Sequence, residues 1–291
     1  MRHRLLSRLN DTPRQLWIGL LLIAVAWPLN WLLEGLRTHL LFFPLWLGYA
    51  LTVDGLVYLR RGTSLLTRNW RAFAGLFLVS APIWWLFEAI NLRTRNWEYV
   101  GREYFSDLAY FLLASLSFST VIPAVFGTAE LLSSTGWLRR LPRGPVVRPT
   151  RGTAAVFFVA GWAMLALMLI WPRYFFPFIW ISLYCIIMPI NVWLGHRSLL
   201  EYTAGGNWRP VLAMALGALV CGFFWEFWNY FAYPKWVYHV PFVDFLHIFE
   251  MPILGYGGYL PFGLELFALY HLVIGLVGPS ELRDYLRVGG E

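Results

Sequence analysis

The chain has few charged residues. They make up 13% of its 291 positions, while hydrophobic residues make up 59%. Soluble domains carry about 25% charged residues, so this composition excludes an ordinary soluble domain. Cysteine is also scarce. Cys185 and Cys221 both lie in apolar runs, and their spacing indicates neither a disulfide framework nor a metal site. We expect both to be small core residues.

Charge is absent from long stretches of the sequence. Residues 15–33 contain none and match the ~20 residues with which a helix crosses a bilayer. A cleaved signal peptide is the alternative, because Arg2, Arg4, Arg8 and Arg14 precede the run. The run is long for a signal peptide and no small-x-small cleavage site follows it. We therefore interpret it as a membrane span.

Eight such apolar segments predict an all-α integral membrane protein with about eight transmembrane helices. The fifth and sixth segments are separated by one residue. The last segment is much longer than a single span needs. The segments are 15–33, 40–59, 72–92, 108–132, 153–172, 174–194, 211–233 and 242–277.

Basic residues concentrate in alternate connectors of this layout. The N-terminal tail and the connectors 60–71, 136–151 and 196–209 carry most of the arginines. The positive-inside rule then predicts that both termini are cytoplasmic, in a membrane of the bacterial inner (cytoplasmic) type. The net charge of +7 belongs to these loops and to anionic lipid headgroups. We therefore expect no nucleic acid partner.

The two halves of the sequence share polar and aromatic residues at nearly one offset. Glu88 and Asn91 recur 138 positions later as Glu226 and Asn229. Further pairs near this offset are Asn69-Trp70 with Asn207-Trp208, Trp97-x-Tyr99 with Trp236-x-Tyr238, and Pro123 with Pro261. So many coincidences at one offset indicate an internal duplication.

The duplication predicts two four-helix repeats, at about 15–140 and 150–280. An even number of spans in each copy gives both copies the same orientation, so the repeats are parallel. Binding sites in such proteins lie at the interface of the repeats. The two Glu-x-x-Asn helices are therefore expected to face each other across a central cavity.

Glu226 and Asn229 lie three residues apart and share one helix face. One interpretation is an interhelical hydrogen bond that clamps the bundle. The other is a desolvated carboxyl group poised as an acid. Both apply equally to Glu88 and Asn91. Glu130 is close enough to the end of its span to be interfacial.

The final segment, 242–277, contains several helix-breaking residues. Pro252 and the glycines within 255–258 predict a break. We expect a short helix or re-entrant piece before it, with His247 and Glu250 on one face, and a full span from about residue 260. Irregular backbone at membrane depth is tolerated where it lines a cavity.

Two further ionisable residues, Glu265 and His271, follow on the last span. The first repeat has no counterpart of His247, Glu250 or His271, which favours the second half as the active one. A di-iron site typically has paired Glu-x-x-His motifs, whereas the order here is His-x-x-Glu and it occurs once. We therefore assign no metal ligands and no cofactor.

Aromatic residues are abundant, with 17 Trp, 15 Tyr and 23 Phe. The four rings of the two Trp-x-Tyr motifs lie in outer connectors, where an interfacial belt is expected. The rings that flank Glu88 and Glu226 predict instead a cavity wall able to stabilise a cation. The members of this wall in the second half include Trp225, Trp228 and Tyr230.

The order of these motifs resembles the duplicated membrane domain of heterodimeric and fungal-type lycopene cyclases. In that family an acidic residue, a Trp-x-Tyr motif and a Pro-led helix with paired glutamates occur in each copy. The matching positions are Glu226, Asn229, Trp236, Tyr238 and "YLPFGLELF" at 259–267, with Glu88, Asn91, Trp97 and Tyr99 in the first half. Gly263-Leu264 replaces the paired glutamates.

The resemblance implies acid–base cyclisation of an isoprenoid or carotenoid, without redox chemistry, in a cavity between the repeats. The expected catalytic residues are Glu226, Glu250 and Glu88, with His247 as partner base. The expected substrate-binding residues are Asn229, Asn91, Trp225, Trp228, Tyr230, Glu265 and His271. The expected partner is a membrane lipid or polyisoprenoid substrate. A homo-oligomer or a second membrane subunit stays open, and the alternative function is a non-catalytic lipid-binding or transport protein.

Overall fold

The computed structural model describes residues 12–289, and these are mostly helical. Seven helical segments are long and apolar enough to cross a membrane, or eight if the bent pair Pro172–Trp180 and Ser182–Leu194 counts as one span. This confirms the predicted membrane-protein class. The basic residues Arg2, Arg4 and Arg8, which entered the orientation argument, lie outside the described residues.

The long helices follow the predicted apolar segments closely. They are α1 (Arg14–Leu32), α2 (Thr38–Arg61), α4 (Trp70–Thr94), α5 (Asp107–Phe118), α6 (Val121–Ser133), α8 (Arg151–Ile170), α10 (Ser182–Leu194), α12 (Arg209–Tyr230) and α13 (Tyr259–Val277). Short helices between them are α3 (Leu65–Arg68), α7 (Gly136–Arg140), α9 (Pro172–Phe175) and α11 (Leu199–Thr203). The 3₁₀ helices are Arg102–Tyr104, Phe176–Trp180, Ile253–Gly258 and Ser280–Asp284.

Local capping residues set several helix boundaries. The side chain of Asn69 accepts hydrogen bonds from Arg71 N and Ala72 N, both at 3.1 Å, at the start of α4. Such caps satisfy donors that a helix leaves free at its N-terminus. At the other end of α2, Gly62 adopts φ 72°, the left-handed conformation that glycine supplies without strain.

Small residues bring the central helices close together. A Cβ on Gly217 of α12 would lie 3.0 Å from Ala129 N of α6, and one on Gly263 of α13 would overlap the Met214 carbonyl of α12. Helices in lipid associate through such close van der Waals packing. The helices α6, α12 and α13 therefore form the packed centre, with α1 against α2 and α8 against α10 at the periphery.

Two strands join the connectors that follow α4 and α12. Strand β1 (Trp97–Val100) pairs antiparallel with β2 (Lys235–Tyr238). The register places Trp97 opposite Tyr238 and Tyr99 opposite Trp236. The two Trp-x-Tyr motifs, far apart in sequence, are thus adjacent in one ladder at one end of the bundle.

The segment before α13 differs from its prediction. His247 and Glu250 do not share a helix face. His247–Ile248 (β3) and Met251–Pro252 (β4) form a small antiparallel hairpin, and Glu250 lies in its turn. Proline and glycine prevent a continuous helix here. The glycines lie in the 3₁₀ segment Ile253–Gly258, which continues directly into α13, so one span runs from Ile253 to Val277 and the irregular backbone ends at Pro252.

Glu130 lies near the end of its span, as expected, and is covered by other parts of the protein. Its side chain is fully buried near the end of α6 and forms an ion pair with Arg68. It also accepts a hydrogen bond from Arg287 N at 2.7 Å. The C-terminal segment covers this carboxylate, which the sequence pattern of α6 alone could not indicate.

Candidate functional site

Glu226 occupies the middle of a tyrosine cluster. Its side chain projects from α12 and is fully buried. Its Oε1 accepts a hydrogen bond from the Tyr238 hydroxyl at 2.7 Å and another from the Tyr259 hydroxyl at 2.6 Å. Its Oε2 is buried without a hydrogen-bond partner among residues 12–289. A strand and a second helix therefore deliver two hydroxyls to one carboxyl oxygen.

Glu88 occupies the corresponding position of the first half. Its Oε1 accepts hydrogen bonds from Trp84 Nε1 at 2.9 Å, Trp97 Nε1 at 3.0 Å and the Tyr99 hydroxyl at 2.6 Å. The donor set differs from that of Glu226, because two of its three members are indoles. An indole N–H donates a hydrogen bond but accepts none.

The side chains of the two asparagines form hydrogen bonds with the strands and not with the glutamates. Asn91 donates to Trp97 O at 2.8 Å and accepts from Asn96 N at 2.8 Å. Asn229 donates to Trp236 O at 2.7 Å and accepts from Trp236 N at 3.0 Å. The hydrogen bonds of the Asn229 side chain therefore go to the strand and not to Glu226. Each asparagine instead fixes the start of the strand that carries the Trp-x-Tyr motif.

The four rings of these motifs are not a simple interfacial belt. Trp97 is buried and Tyr99, Trp236 and Tyr238 are partly buried. Residues two apart on a strand project to the same face, so Trp97 and Tyr99 both reach Glu88. The same spacing lets Tyr238 reach Glu226 while Trp236 packs on Phe42.

A cavity of about 200 Å³ lies between the two clusters. Its wall includes Trp84, Trp97 and Tyr99, which hold Glu88, and Tyr238 and Tyr259, which hold Glu226. Residues from both halves of the sequence thus line one cavity. The carboxyl groups stand behind this wall, and the hydroxyl and indole groups that contact them form its surface.

The remaining wall is largely aromatic. Trp180, from the bent sixth segment, is stacked on Trp97 with ring centroids 6.0 Å apart and on Phe87 at 5.9 Å. Trp225 also lines the cavity, as expected, and lies 5.9 Å from the Tyr259 ring. Polar contact is confined to few side chains, so the interior suits an unsaturated hydrocarbon.

The phenols of the two strands stay protonated. Burial raises the pKa of Tyr99 well above its usual range, and the nearby Glu88 carboxyl adds to the effect. Burial likewise raises the pKa of Tyr238, with a contribution from Glu226. Both phenols therefore remain hydrogen-bond donors to their carboxyl groups through neutral and mildly alkaline pH.

His247 and Glu250 lie outside this cluster. Glu250 forms an ion pair with Lys235, and His247 Nε2 lies 2.8 Å from Asp244 Oδ1 at the surface. Among the described residues, neither has a hydrogen bond or an ion pair with Glu226. These two of the four expected catalytic residues are therefore not hydrogen-bonded to Glu226, although Glu250 is close enough for its charge to act on that carboxyl group.

The other expected substrate-binding residues lie away from the cavity wall. Trp228 is buried against Trp46, with ring centroids 5.1 Å apart, and Tyr230 is 41% exposed. On α13, Glu265 accepts a hydrogen bond from Tyr184 N at 3.4 Å, and His271 Nδ1 is 2.8 Å from Phe267 O. The last two pack α13 within the bundle.

Several wall residues, among them Tyr259, Trp180, Tyr99 and Tyr238, were not among the expected catalytic or substrate-binding residues. Tyr259 precedes Pro261 at the start of α13, and Trp180 has no local signal that marks it. Tyr99 and Tyr238 could have been found from the strand-like Trp-x-Tyr spacing, which directs both rings of each motif to one face. The contacts with the carboxyl groups required the fold.

Within residues 12–289, no group of three or more His, Cys, Asp or Glu side chains could hold a metal ion. The titratable groups that meet in the two clusters are the carboxyls of Glu88 and Glu226 and the phenols of Tyr99, Tyr238 and Tyr259. Comparisons with models of protein families, with curated proteins and with solved structures give no match to this chain.

Proposed function

We propose that the chain is a membrane-embedded enzyme that cyclises or isomerises an isoprenoid lipid by acid–base chemistry. One observation carries the proposal. Tyr259 and Tyr238 line an aromatic cavity and donate their hydroxyls to the buried carboxyl group of Glu226. A proton can thus pass between a buried carboxyl group and the cavity without opening the site to water.

In the proposed reaction, the product has the same mass as the substrate. The Tyr259 hydroxyl adds its proton to one carbon–carbon double bond, which leaves a carbocation, and takes a replacement proton from the Glu226 carboxyl group. A second double bond attacks this cation and closes a ring, and loss of a proton from a neighbouring carbon restores a double bond. The observed direction of the hydrogen bonds suits the last step: the Tyr259 oxygen takes the proton while its own proton moves to Glu226 Oε1. The surrounding rings stabilise the cation.

The size of the cavity bears on the substrate. At about 200 Å³ it is smaller than the 300–1,000 Å³ typical of sites that enclose a whole drug-sized ligand. One end of an isoprenoid chain would enter it, and the rest of the chain would lie in the bilayer.

We also propose the arrangement as two parallel four-helix repeats. Asn91 and Asn229 make equivalent contacts with their strands. The helices α6 and α13 begin at Val121 and Tyr259, which are 138 positions apart, the same offset as Glu88 and Glu226. With the basic connectors inside, both termini are cytoplasmic, and the cavity lies near the outer face of a bacterial-type inner membrane.

The second candidate is a non-catalytic lipid-binding protein. The observation that favours it is that each glutamate contacts residues of the cavity wall. The three hydrogen bonds on Glu88 would then serve to hold the strands on the bundle. Under this alternative a lipid would copurify with the chain and leave it chemically unchanged.

The experiment is a comparison of lipid extracts from a lycopene-accumulating bacterial host with and without the chain. Liquid chromatography with mass spectrometry would cover both pigments and phosphorylated isoprenoids. We expect a product with the mass of its substrate and a shifted retention time, and none with Glu226→Gln. A folded wild-type chain that retains a lipid but yields no isomer would favour the second candidate.

A further inference from the structure

The polar residues that line the cavity gather at one end of it. Thr38 and His39 begin α2, Asn96 precedes β1, Arg102 follows β1, and Lys235 begins β2. All belong to the end of the bundle where the two strands pair. The rest of the wall comes largely from helices, and its side chains are mostly aromatic or aliphatic, with Tyr110, Ser117 and Tyr259 as polar members. The cavity is therefore amphipathic along its length.

Arg102 is held firmly at this polar rim. Its guanidinium group lies 4.2 Å from the centroid of the Tyr110 ring, and its Nη1 donates to Phe105 O at 2.7 Å. Its ion-pair partner, Asp107, has a fully exposed side chain. Water screens an ion pair with such an exposed partner, so the anion of a ligand can compete for the same guanidinium group.

Lys235 stands beside Arg102 on the rim. It is the ladder partner of Val100, and the neighbouring Pro234 packs against Gly101, where a Cβ would lie 3.0 Å from Pro234 Cβ. This contact holds the two cations on adjacent chain segments. Lys235 forms an ion pair with Glu250 and also lies 3.4 Å from Tyr230 O.

Two buried polar atoms at the same rim lack partners. Asn96 is 7% exposed, and its Oδ1 has no hydrogen-bond partner among the described residues. The same holds for His39 Nδ1, whose ring lies 5.3 Å from the Phe105 ring. Buried polar groups nearly always have partners. An unpartnered amide oxygen accepts a hydrogen bond, so at Asn96 the ligand group must carry a donor, such as the O–H of a singly protonated phosphate. The His39 ring nitrogen can donate or accept.

We infer that the isoprenoid bound in this cavity carries a phosphate head, which lies between Arg102 and Lys235 and within reach of His39 and Asn96. The chain of the ligand then extends along the aromatic wall towards Tyr259. This inference rests on the proposed function and narrows its substrate class from isoprenoids in general to isoprenoid phosphates. A planar guanidinium group that can donate two parallel hydrogen bonds suits phosphate oxygens particularly well.

Acidic side chains at the rim limit the charge that it can accept. Glu250 neutralises much of the Lys235 charge, and Asp107 partly neutralises that of Arg102. The rim is therefore suited to one phosphate group rather than to a polyanion. Arg102 carries the larger part of the binding, since its partner is the more exposed of the two carboxylates.

The test is a binding measurement on the purified full chain in lipid nanodiscs. A short isoprenoid alcohol and the monophosphate of the same alcohol would be titrated separately. Quenching of tryptophan emission reports occupancy, because Trp84, Trp97, Trp180, Trp225 and Trp236 line the cavity. We expect the monophosphate to bind about tenfold more tightly, as charge-assisted hydrogen bonds to a phosphate provide, with a preference that shrinks as salt rises.

Variants distinguish the contribution of the phosphate head to the affinity from that of the isoprenoid chain. Arg102→Gln should remove most of the preference for the monophosphate and leave the affinity for the alcohol unchanged. Arg93→Gln is the matched control. Arg93 is an exposed arginine at the same end, does not line the cavity and donates to Leu169 O at 2.8 Å.

Equal affinities for the two ligands, or a preference that survives Arg102→Gln, would overturn the inference. Binding of the alcohol would in that case still support an isoprenoid site. A chain that binds neither ligand would contradict both the inference and the proposed function.

Discussion

The ring of Tyr259 fills the space beside Gly222. A Cβ on Gly222 would overlap Tyr259 Cδ2, so the absence of a side chain on α12 allows the ring of α13 to approach. From that position Tyr259 donates its hydroxyl to Glu226, one helical turn beyond Gly222. The glycine is therefore part of the site, because it creates the room in which the hydroxyl stands.

In the first half, one ring that contacts the carboxyl group is on the helix that carries the glutamate itself. The positions 138 residues earlier are Trp84, in place of the glycine, and Val121, in place of the tyrosine. Trp84 projects from its own helix and donates to Glu88. One donor to each carboxyl group thus comes from a ring on a membrane span. In the first half this ring is Trp84 on the third span, and in the second half it is Tyr259 on the fourth span of that half.

The first half has a large residue at the position of Gly222 and a smaller one at the position of Tyr259. This predicts that the effects of substitutions at positions 222 and 259 on the free energy of unfolding are strongly coupled. Gly222→Trp alone should cost about 1–3 kcal/mol or more through overpacking, and Tyr259→Val alone about 2–4 kcal/mol through the cavity that it leaves. The double variant should lose at least about 1 kcal/mol less than the sum. Unfolding of the purified chain by detergent titration measures each value. Simple additivity would show that the two positions do not share one space.

The acid–base role of Glu226 predicts a loss of turnover without a loss of fold. Glu226→Gln keeps an oxygen that can accept both hydroxyls but has no proton to exchange. We expect turnover to fall at least about 100-fold, as removal of a general acid–base group does. The control is Glu98→Gln, which changes an exposed carboxylate on β1. Unfolding of the Glu226→Gln protein would instead support the structural clamp.

The asparagines predict equal effects in the two halves. Asn91→Ala and Asn229→Ala each remove hydrogen bonds that fix the start of a strand. Each should cost about 1–3 kcal/mol, because buried backbone groups lose their partners. Asn91→Asp and Asn229→Asp keep the acceptor and should cost less. An effect confined to one half would contradict the equivalence of the two connections.

The raised phenol pKa values predict a stability loss at high pH. In the unfolded chain a tyrosine titrates near pH 10, whereas burial keeps Tyr99 and Tyr238 protonated to higher pH in the folded chain. Their contribution is therefore complete below about pH 10 and is lost as pH rises towards the folded pKa. Melting temperatures between pH 8 and 12 would show a shallower decline for Tyr238→Phe. The exposed Tyr174 provides the control, and Tyr174→Phe should leave the slope unchanged.

The proposed orientation predicts that cysteines added at the two ends of the bundle are labelled from opposite sides of the membrane. Both native cysteines are buried, so a single added cysteine gives a clean signal. Glu98→Cys, on β1, should react with a membrane-impermeant maleimide in intact cells. Val146→Cys, in a basic connector and 58% exposed, should react only after the membrane is opened. The reverse pattern would contradict cytoplasmic termini.

The sequence predicted those parts of the molecule that depend on local composition. Apolar length located the spans, and Pro252 indicated the irregular backbone before the last one, although the glycines after it lie within that span. The short helix with His247 and Glu250 on one face was wrong, because the backbone there forms a hairpin. Spacing-three arguments apply only where a helix exists.

The site was only partly predictable for a related reason. The offset of 138 identified Glu88 and Glu226, but their partners come from elements that are remote in sequence. The pairing of β1 with β2 depends on long-range contacts, and Trp180 reaches the wall through a bend in the sixth segment. Neither leaves a periodic signal. Trp-x-Tyr alternation was the one local pattern that could have indicated strands instead of an interfacial belt.

The most direct test of the central claim is deuterium incorporation during turnover. Membranes that contain the chain would be incubated in D₂O with isoprenoid substrate, and the product analysed by mass spectrometry. Proton addition from the enzyme and proton loss to it predict an isomer of the substrate that carries one deuterium from solvent, and no such product with Glu226→Gln. An isomer without deuterium, or a substrate that is bound and recovered unchanged, would contradict acid–base catalysis at this site.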